Sequence, residues 1–448
     1  MSSGNPTEHK VNRCVTYALD IYRYALQEVR ADILVRKALS SHNNDSKLQS
    51  LLEDISQYRT IRLIGAGKAA CAMAEPLIQM LGDRISEAVV ITKYGHGRQI
   101  PGLRVLEAGH PIPDEASLRA GEEVSRIAGS CGENDLLICL ISGGSSALME
   151  LPEAGLTLDD LQKTTKLLLQ AGAEIDEVNA VRSRISQIKA GGLAYMAHPA
   201  KVVCLVLSDV LGDPPQTIGS GPCHTSHEKN IDIIKMLERF RLTELLPPIV
   251  LSKCIQRTGK EDREIPNVST AIVGNINSAL DAASKRAREL GSNPLVLSEN
   301  LNGEAREAGR TLGGIARRLP KLYEENGVNC LLLGGETTVS VHGAGKGGRC
   351  QEIVAAAAMH LNGIPGVVLL AGGTDGTDGP TDAAGAFTDA STIIRAGSFP
   401  AAALANSDVY PWLEKAEALI KTGPTDSNVG DLVIMLYIAD EKNSDKSN

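Results

Sequence analysis

The chain has 448 residues, too many for one ordinary hydrophobic core and enough for two α/β domains that bury apolar surface without disulfides or metals. A net charge of −9, with no basic block or aromatic-rich basic face to offset it, excludes nucleic acid as the main partner, so an anionic substrate must be met by local positive charge. Nine cysteines without a C-x-x-C pair read as reduced thiols, no apolar run is long enough to span a membrane, and the first dozen residues lack a transit-peptide pattern; the cytosol is the expected compartment, with the mitochondrion as the alternative.

In chain order, Arg13 to Leu39 carries apolar residues at helical spacing, is broken by His42-Asn43-Asn44-Asp45, and reads as scaffold. Thr60 to Ile64 predicts a short strand, and Gly65-Ala66-Gly67-Lys68-Ala69-Ala70 then opens a helix through about Met80. This G-x-G-x-x-A spacing lets backbone at Gly65 and Gly67 approach a phosphate at the helix N-terminus. A dinucleotide site would place an acid at the end of the next strand to hold a ribose, yet Val89-Val90-Ile91-Thr92-Lys93 ends in lysine. Lys68 suits a phosphoryl group better than a nicotinamide, and the bland alternative is a glycine turn with an exposed lysine.

Ala108-Gly109-His110-Pro111 begins a proline-fixed loop, in which His110 either touches a ligand or serves a rigid turn. Leu136 to Ile141 reads as a buried strand, turned into a helix by Ser142-Gly143-Gly144-Ser145-Ser146, whose N–H groups and hydroxyls suit an oxyanion or phosphate. The same spacing resembles a nucleophile elbow with Ser145 at the turn, which gives a hydrolase as a minor reading. Arg182 and Lys189 lie seven residues apart, on one face if the helix from Glu177 continues, as anion-binding cations or as a solvated basic face. After the apolar run Lys201 to Leu207, Asp209 sits just past the carboxyl end of a strand and is the first candidate for a magnesium-facing carboxylate. His224 and His227 lack matched further ligands, and a surface loop outweighs a metal site there.

Prolines and charges dominate from Leu245 to Asn267, notably Pro247-Pro248 and the run Lys260 to Glu264, which places a linker at 246–268 between domains at 13–245 and 269–440. A new α/β series follows: strand Thr270 to Val273, helix Ser278 to Leu290, strand Leu295 to Leu297, helix Glu304 to Arg318 and strand Leu331 to Leu333. Gly334-Gly335-Glu336 ends that last strand, and Val339 and Val341, alternating with Ser340 and His342, predict a further half-buried strand. Arg349 then opens an alanine-rich helix. A cation there is not explained by the helix dipole, and makes sense if an anion is bound beside it.

Val367 to Ala371 predicts a strand leading into Gly372-Gly373-Thr374-Asp375-Gly376-Thr377-Asp378, a ligand loop or a glycine turn with solvated aspartates. Three buried strands thus end in Ser142-Gly143-Gly144, Gly334-Gly335-Glu336 and Gly372-Gly373-Thr374, and doubled glycine at all of them is hard to explain by packing alone. Leu432 to Ile438 reads as a last strand and Asp440 to Asn448 as a disordered tail.

The segments GAGKAA, AGHPIPD, ISGGSSALM, VNAVRSRISQIKAGG, LSDVLGDP, GGETTVSVHGAGKGGRCQE, GGTDGTDGPTDAAG and TGPTDSNVGDL, in this order over nearly the whole chain, closely resemble the class II glycerate kinases. The resemblance implies two layered α/β domains, the N-terminal one Rossmann-like, a C-terminal domain containing a MOFRL region at about 328–440, and an active site in the interdomain cleft. Lys68 and Arg349 match the positions of the family's essential lysine and arginine. The implied reaction is phosphoryl transfer from Mg2+-bound ATP to the 2-hydroxyl of D-glycerate, with no nucleic acid or membrane partner and homodimerisation left open. In it, Asp209 or Asp375 would hold magnesium, the other or Asp378 would orient the hydroxyl or take its proton, and the Ser142 and Gly372 loops would donate backbone N–H groups. Two positions depart from the family's pattern: Cys350 stands where asparagine is usual, and Asp426-Ser427 where glycine and threonine are. An added carboxylate weakens nucleotide binding if Asp426 faces the phosphates.

Two rivals belong to other classes. A nicotinamide-dependent hydroxypyruvate reductase needs a reduced cofactor and no ATP, and the missing ribose-binding acid after Lys93 counts against it. A non-catalytic sugar-acid sensor would bind without turnover.

Overall fold

The computed structural model of the protein describes residues 6–40, 55–225, 231–256, 265 and 267–439, with side chains from residue 13 onward. The chain divides into two compact units, Ala31–Val273 and a second that joins Met1–Arg30 to Gly274–Asn448. The segments His42 to Asp45, Lys260 to Glu264 and Asp440 to Asn448 lie outside the described residues.

The first unit holds a six-stranded sheet in the order β3-β2-β1-β4-β5-β6, built from β1 (Thr60–Ala66), β2 (Ile85–Lys93), β3 (Arg104–Ala108), β4 (Asp135–Ile141), β5 (Lys201–Leu207) and β6 (Val268–Gly274). The pairs from β3 through β5 are parallel. Helices cover parallel sheets on both faces, which is why β4, DLLICLI, is buried at every position and reads as one apolar run. Ala66 is level with Ile141 and Ile141 with Val206, so the loops after β1, β4 and β5 leave the sheet at the same end. The chain winds outward from β1 to β3 and then restarts on the other side at β4. That reversal is the switch point where open α/β sheets bind ligands.

The boundary between the units differs from the expected one. Residues 248–255 form a helix whose Val250 and Cys254 pack with Val178, Val181 and Leu237, and β6, expected to begin the second domain, closes the first sheet. Pro247-Pro248 looks like a break, but proline suits the first turn of a helix, where its missing N–H costs nothing.

The second unit holds a mixed sheet in the order β11-β10-β9-β12-β8-β7, from β7 (Pro294–Leu301), β8 (Cys330–Gly335), β9 (Val367–Gly373), β10 (Gly385–Asp389), β11 (Leu419–Ile420) and β12 (Asp431–Tyr437). Alternation along β9 sorts its side chains: Val367, Leu369 and Ala371 face the helix Arg349–Leu361, while Val368 and Leu370 face the helices Pro6–Glu28 and Ile276–Glu289. The N-terminal helix, legible as scaffold, therefore belongs to the C-terminal unit. Burial of a side chain such as Ile21 there contributes roughly 2 kcal/mol. Strand β12 runs antiparallel to β8 and β9, so its first residue, Asp431, is level with Gly335 and Gly373 at their carboxyl ends.

The strand expected at Val339 to Val341 does not form. Thr338 makes a lone bridge to Glu304, the Ser340 N–H donates to the Glu304 carboxylate at 3.1 Å, and Val341 is 70% exposed. The alternation was correct for a strand, but a side chain takes the N–H that a neighbouring strand would need. Among the described residues, no helix is long and apolar enough to cross a membrane.

Candidate active site

In the first unit, the loops after β1 and β4 are zipped together. The Gly67 N–H donates to the Ile91 carbonyl at 3.0 Å, Lys68 N–H to the Gly143 carbonyl at 3.0 Å, and Ser142 N–H to the Ala66 carbonyl at 3.1 Å. The Ser142 hydroxyl accepts from the Ala69 N–H at 3.1 Å. Gly67 has φ 134°, and a Cβ there would lie 2.0 Å from Ser142 Oγ, so no other residue fits. The G-x-G-x-x-A turn thus spends its N–H groups on β2 and on the loop after β4. What it presents is the half-buried Lys68 side chain.

The second loop keeps more for a ligand. Among the described residues, the Gly143 and Gly144 N–H groups have no protein acceptor. His110 lies over Gly144, where an added Cβ would come within 2.9 Å of its ring. Ser146 Oγ is 2.8 Å from Ser220 Oγ, which donates to Asn179 Oδ1 at 2.9 Å on the helix Ile175–Ile185. Ser145 is fully buried, and its Oγ has no partner among the described residues. A nucleophile elbow would expose that oxygen, so the hydrolase reading falls.

Arg182 and Lys189 do not share a helical face. The helix ends at Ile185, Ser186 is extended, and Lys189 is 1% exposed, its ammonium donating to the buried Glu150 carboxylate together with the Ser186 hydroxyl. Lys189 is neither a solvated cation nor one without a counter-charge. Arg182 is half-buried; burial lowers its pKa while Glu150 opposes that shift. Asp209 follows β5 in a half-buried turn. His224 Nε2 lies 2.7 Å from the Thr270 hydroxyl of β6, a structural contact, and His227 lies outside the described residues.

In the second unit, Arg349 opens the helix Arg349–Leu361. Its Nε and Nη2 donate to the two oxygens of Asp431 at 2.6 and 2.9 Å, and its Nη1 donates to Glu336. Burial disfavours the guanidinium charge, but Asp431 and then Glu336 outweigh it and hold the pKa above the usual arginine value. Among the described residues this leaves one N–H on each terminal nitrogen, a planar fork suited to two oxygens of a phosphoryl or carboxylate group.

The anion expected at that helix N-terminus is supplied by the chain itself. Asp378, 2% exposed, accepts from the Cys350 N–H at 3.1 Å and the Gln351 N–H at 2.9 Å. Burial, reinforced by Asp431, pushes the Asp378 carboxyl up to about 7, while the Gln351 and Cys350 N–H groups pull it down. Both oxygens are engaged, so Asp378 acts as a helix cap. Asp375 is half-buried at the mouth of the same loop, one oxygen accepting from the Thr377 N–H at 3.0 Å. Thr374 donates to the Gly430 carbonyl at 2.7 Å and accepts from the Val429 N–H at 2.9 Å, clamping the loop to the turn before β12.

Packing explains much of the doubled glycine after all. A Cβ at Gly334 would lie 2.2 Å from Ile276 Cγ1, one at Gly335 2.2 Å from the Leu301 carbonyl oxygen, and one at Gly372 2.6 Å from the Tyr22 hydroxyl. That hydroxyl donates to the Gly373 carbonyl at 2.7 Å, so a residue from the N-terminal helix braces the loop. The Cys350 side chain is buried in the core, where burial, then Asp431 and Asp378, push its thiol pKa up. Asp426 has φ 60°, a left-handed conformation that favours glycine and that aspartate tolerates.

Asp431, Tyr22, Glu150 and Asn179 were not singled out in the sequence, although Asp431 and Asn179 lie inside TGPTDSNVGDL and VNAVRSRISQIKAGG, two of the segments that carry the family resemblance. The signal for Asp431 is an acid at the start of a buried run, whereas ligand sites in parallel sheets lie at strand carboxyl ends.

Residues 17–254 match the family described as a domain of unknown function, DUF4147, and residues 329–431 match the MOFRL family. The chain is 40% identical to D-glycerate 2-kinase of Thermotoga maritima over 412 residues, 90% of this chain and 97% of the relative. It is 38% identical to glycerate 2-kinase of Pyrococcus horikoshii, with 94% of each chain covered. A crystal structure of glycerate kinase from Thermotoga maritima superposes with a TM-score of 0.82 at 39% identity, covering 94% of this chain and 99% of that one. With likeness of sequence and fold extending over nine-tenths of its length, the chain belongs to the class II glycerate kinases, with a MOFRL region in its C-terminal unit.

Proposed function

We propose that the protein transfers a phosphoryl group from ATP to the 2-hydroxyl of D-glycerate, giving 2-phosphoglycerate and ADP. The observation that carries this reading is Arg349, whose guanidinium is fixed by Asp431 and Glu336 with one N–H left on each terminal nitrogen. In a transfer of this kind the protein contributes mainly positioning and charge. Arg349 and Lys68 neutralise charge on the transferring group or hold the glycerate carboxylate. The Gly143 and Gly144 N–H groups receive an anionic oxygen. Asp375 or Asp209 orients the attacking hydroxyl and accepts its proton; Asp378 drops out of that role because both its oxygens already accept hydrogen bonds.

Magnesium fits the donors present. Among the described residues no three acids, histidines or cysteines cluster as a cage, and Mg2+ ordinarily takes only one or two carboxylates beside phosphate oxygens and water. Asp209 or Asp375, each half-buried in a loop beyond a strand end, would hold it, and the other would orient the hydroxyl. When bound, it neutralises phosphate charge. All nine cysteines are free and buried, which supports a reducing compartment such as the cytosol.

The test is ADP release from purified protein with ATP, magnesium and D-glycerate, against L-glycerate, magnesium-free and Lys68→Ala controls, with NMR of the product. ADP that appears only with D-glycerate, with phosphate on the 2-oxygen, is the expected result. Oxidation of a reduced nicotinamide with hydroxypyruvate in the absence of ATP would instead revive the reductase, against which stands Lys93 at the end of β2.

A further inference from the structure

We propose that Asp431 is the positioning residue of Arg349: it acts on phosphoryl transfer by fixing the plane of the guanidinium, without touching either substrate. This rests on the reading of Arg349 given above. Asp431 is the first residue of β12, its backbone paired between Gly335 of β8 and Gly373 of β9, so its Cα is held by the sheet. Its side chain is 3% exposed, against 42% for Glu336, the other acid on the guanidinium. Glu336 follows β8 and meets the guanidinium at Nη1, a point that does not by itself fix the guanidinium plane. Asp431 makes two in-plane contacts, to Nε and Nη2, and these fix both position and orientation.

The consequence is geometric. With Nε committed to Asp431, the N–H groups left over sit on the terminal nitrogens and point away from β12. An aspartate in a buried ion pair gains little stability over a well-packed apolar pair, so stability alone does not account for this arrangement. Loss of Asp431 frees the guanidinium to turn toward Glu336, and the fork no longer meets the transferring group at a fixed angle. Misplacement of this kind lowers kcat more than it raises KM, because a positively charged arginine is still present to attract anions.

The experiment is a double-mutant cycle on the full chain, using Asp431→Asn, Arg349→Ala and the double variant. Thermal unfolding is followed beside kcat and KM for both substrates. Asp431→Asn is expected to lower kcat about 10- to 100-fold, with KM changed only a few-fold. In the Arg349→Ala background the same substitution is expected to cost no further activity, and to raise the unfolding temperature by removing a buried carboxylate left without its partner. The double variant carries no such orphaned charge, so it supplies a folded reference if a single variant is unstable. Wild-type kcat in Asp431→Asn, or equal losses from it with and without Arg349, would overturn the proposal. Full activity in Arg349→Ala would overturn it together with the role given to that arginine, whereas an inactive wild type would sink the assignment of the reaction itself.

Discussion

Gln351 grips Asp378 from two sides, its backbone N–H donating to Oδ2 at 2.9 Å and its side-chain Nε2 to the same oxygen at 3.0 Å. The third residue of the Arg349 helix therefore anchors the loop that carries Asp375. An acid expected to face substrate instead joins two pieces of the site.

Asp378 gives the first prediction, on pH. Its folded pKa of about 7 lies above the unfolded value of about 3.9, so the folded chain holds the proton more tightly. The stability it contributes is fully present below about pH 4 and is lost as pH rises through about 7. Asp378→Asn has no charge to bury. The stability of this variant relative to wild type should rise from pH 5 to about pH 7, by on the order of 1 kcal/mol per pH unit while the carboxyl titrates, and level off above that. A difference that stays flat across this range would show that Asp378 titrates as an ordinary carboxylate.

Gly67→Ala should separate the two loops of the first unit. The new Cβ would meet Ser142 Oγ at 2.0 Å and the Ser142 carbonyl oxygen at 2.6 Å, in a backbone conformation that alanine disfavours. A loss of about 2 kcal/mol or more in denaturant unfolding is expected. It should come with a fall in kcat, because Lys68 is the next residue. Wild-type stability and rate together would mean that the loops are not in register as described.

Much of the fold was legible because the strands that build the two cores are uninterrupted apolar runs: β4, β5, β8, β9 and β12 lie within a residue or two of their expected limits. Burial on both faces produces that signal. It vanished where tertiary context intervened. Glu304 captured the Ser340 N–H and prevented a strand, and β6 joined a sheet on the far side of a proline-rich segment. In the site, Lys68 and Arg349 stood out as cations in a glycine turn and at a helix N-terminus, and the family resemblance matched both to essential positions, while glycine spacing alone could not distinguish packing from ligand contact. Asp431 was hidden because only pairing reveals that β12 is antiparallel and brings its amino end to the ligand side.

Ser145→Ala should leave kinase activity within a few-fold of wild type and keep or raise stability. The hydroxyl is buried beneath Gly219 and has no hydrogen-bond partner among the described residues, so its removal relieves a desolvation cost of roughly 1–3 kcal/mol. Abolished turnover in a folded variant would restore Ser145 to the reacting groups.

Glu150 and Lys189 give the last prediction, which separates structural from ligand-binding charge. Both are almost fully buried, at 4% and 1% exposure, and the ammonium donates to the carboxylate. Glu150→Gln leaves Lys189 without its counter-charge and should cost about 3–5 kcal/mol in denaturant unfolding. The pair Glu150→Gln with Lys189→Met removes both charges and should recover most of that loss, because two buried ions gain little over neutral groups of similar volume. If the recovered double variant also keeps kcat and KM, Lys189 holds up the turn between Ser186 and Gly192 and touches no phosphate. A folded double variant with KM for ATP or glycerate raised tenfold or more would mean the opposite: Lys189 trades its bond to Glu150 for one to the substrate.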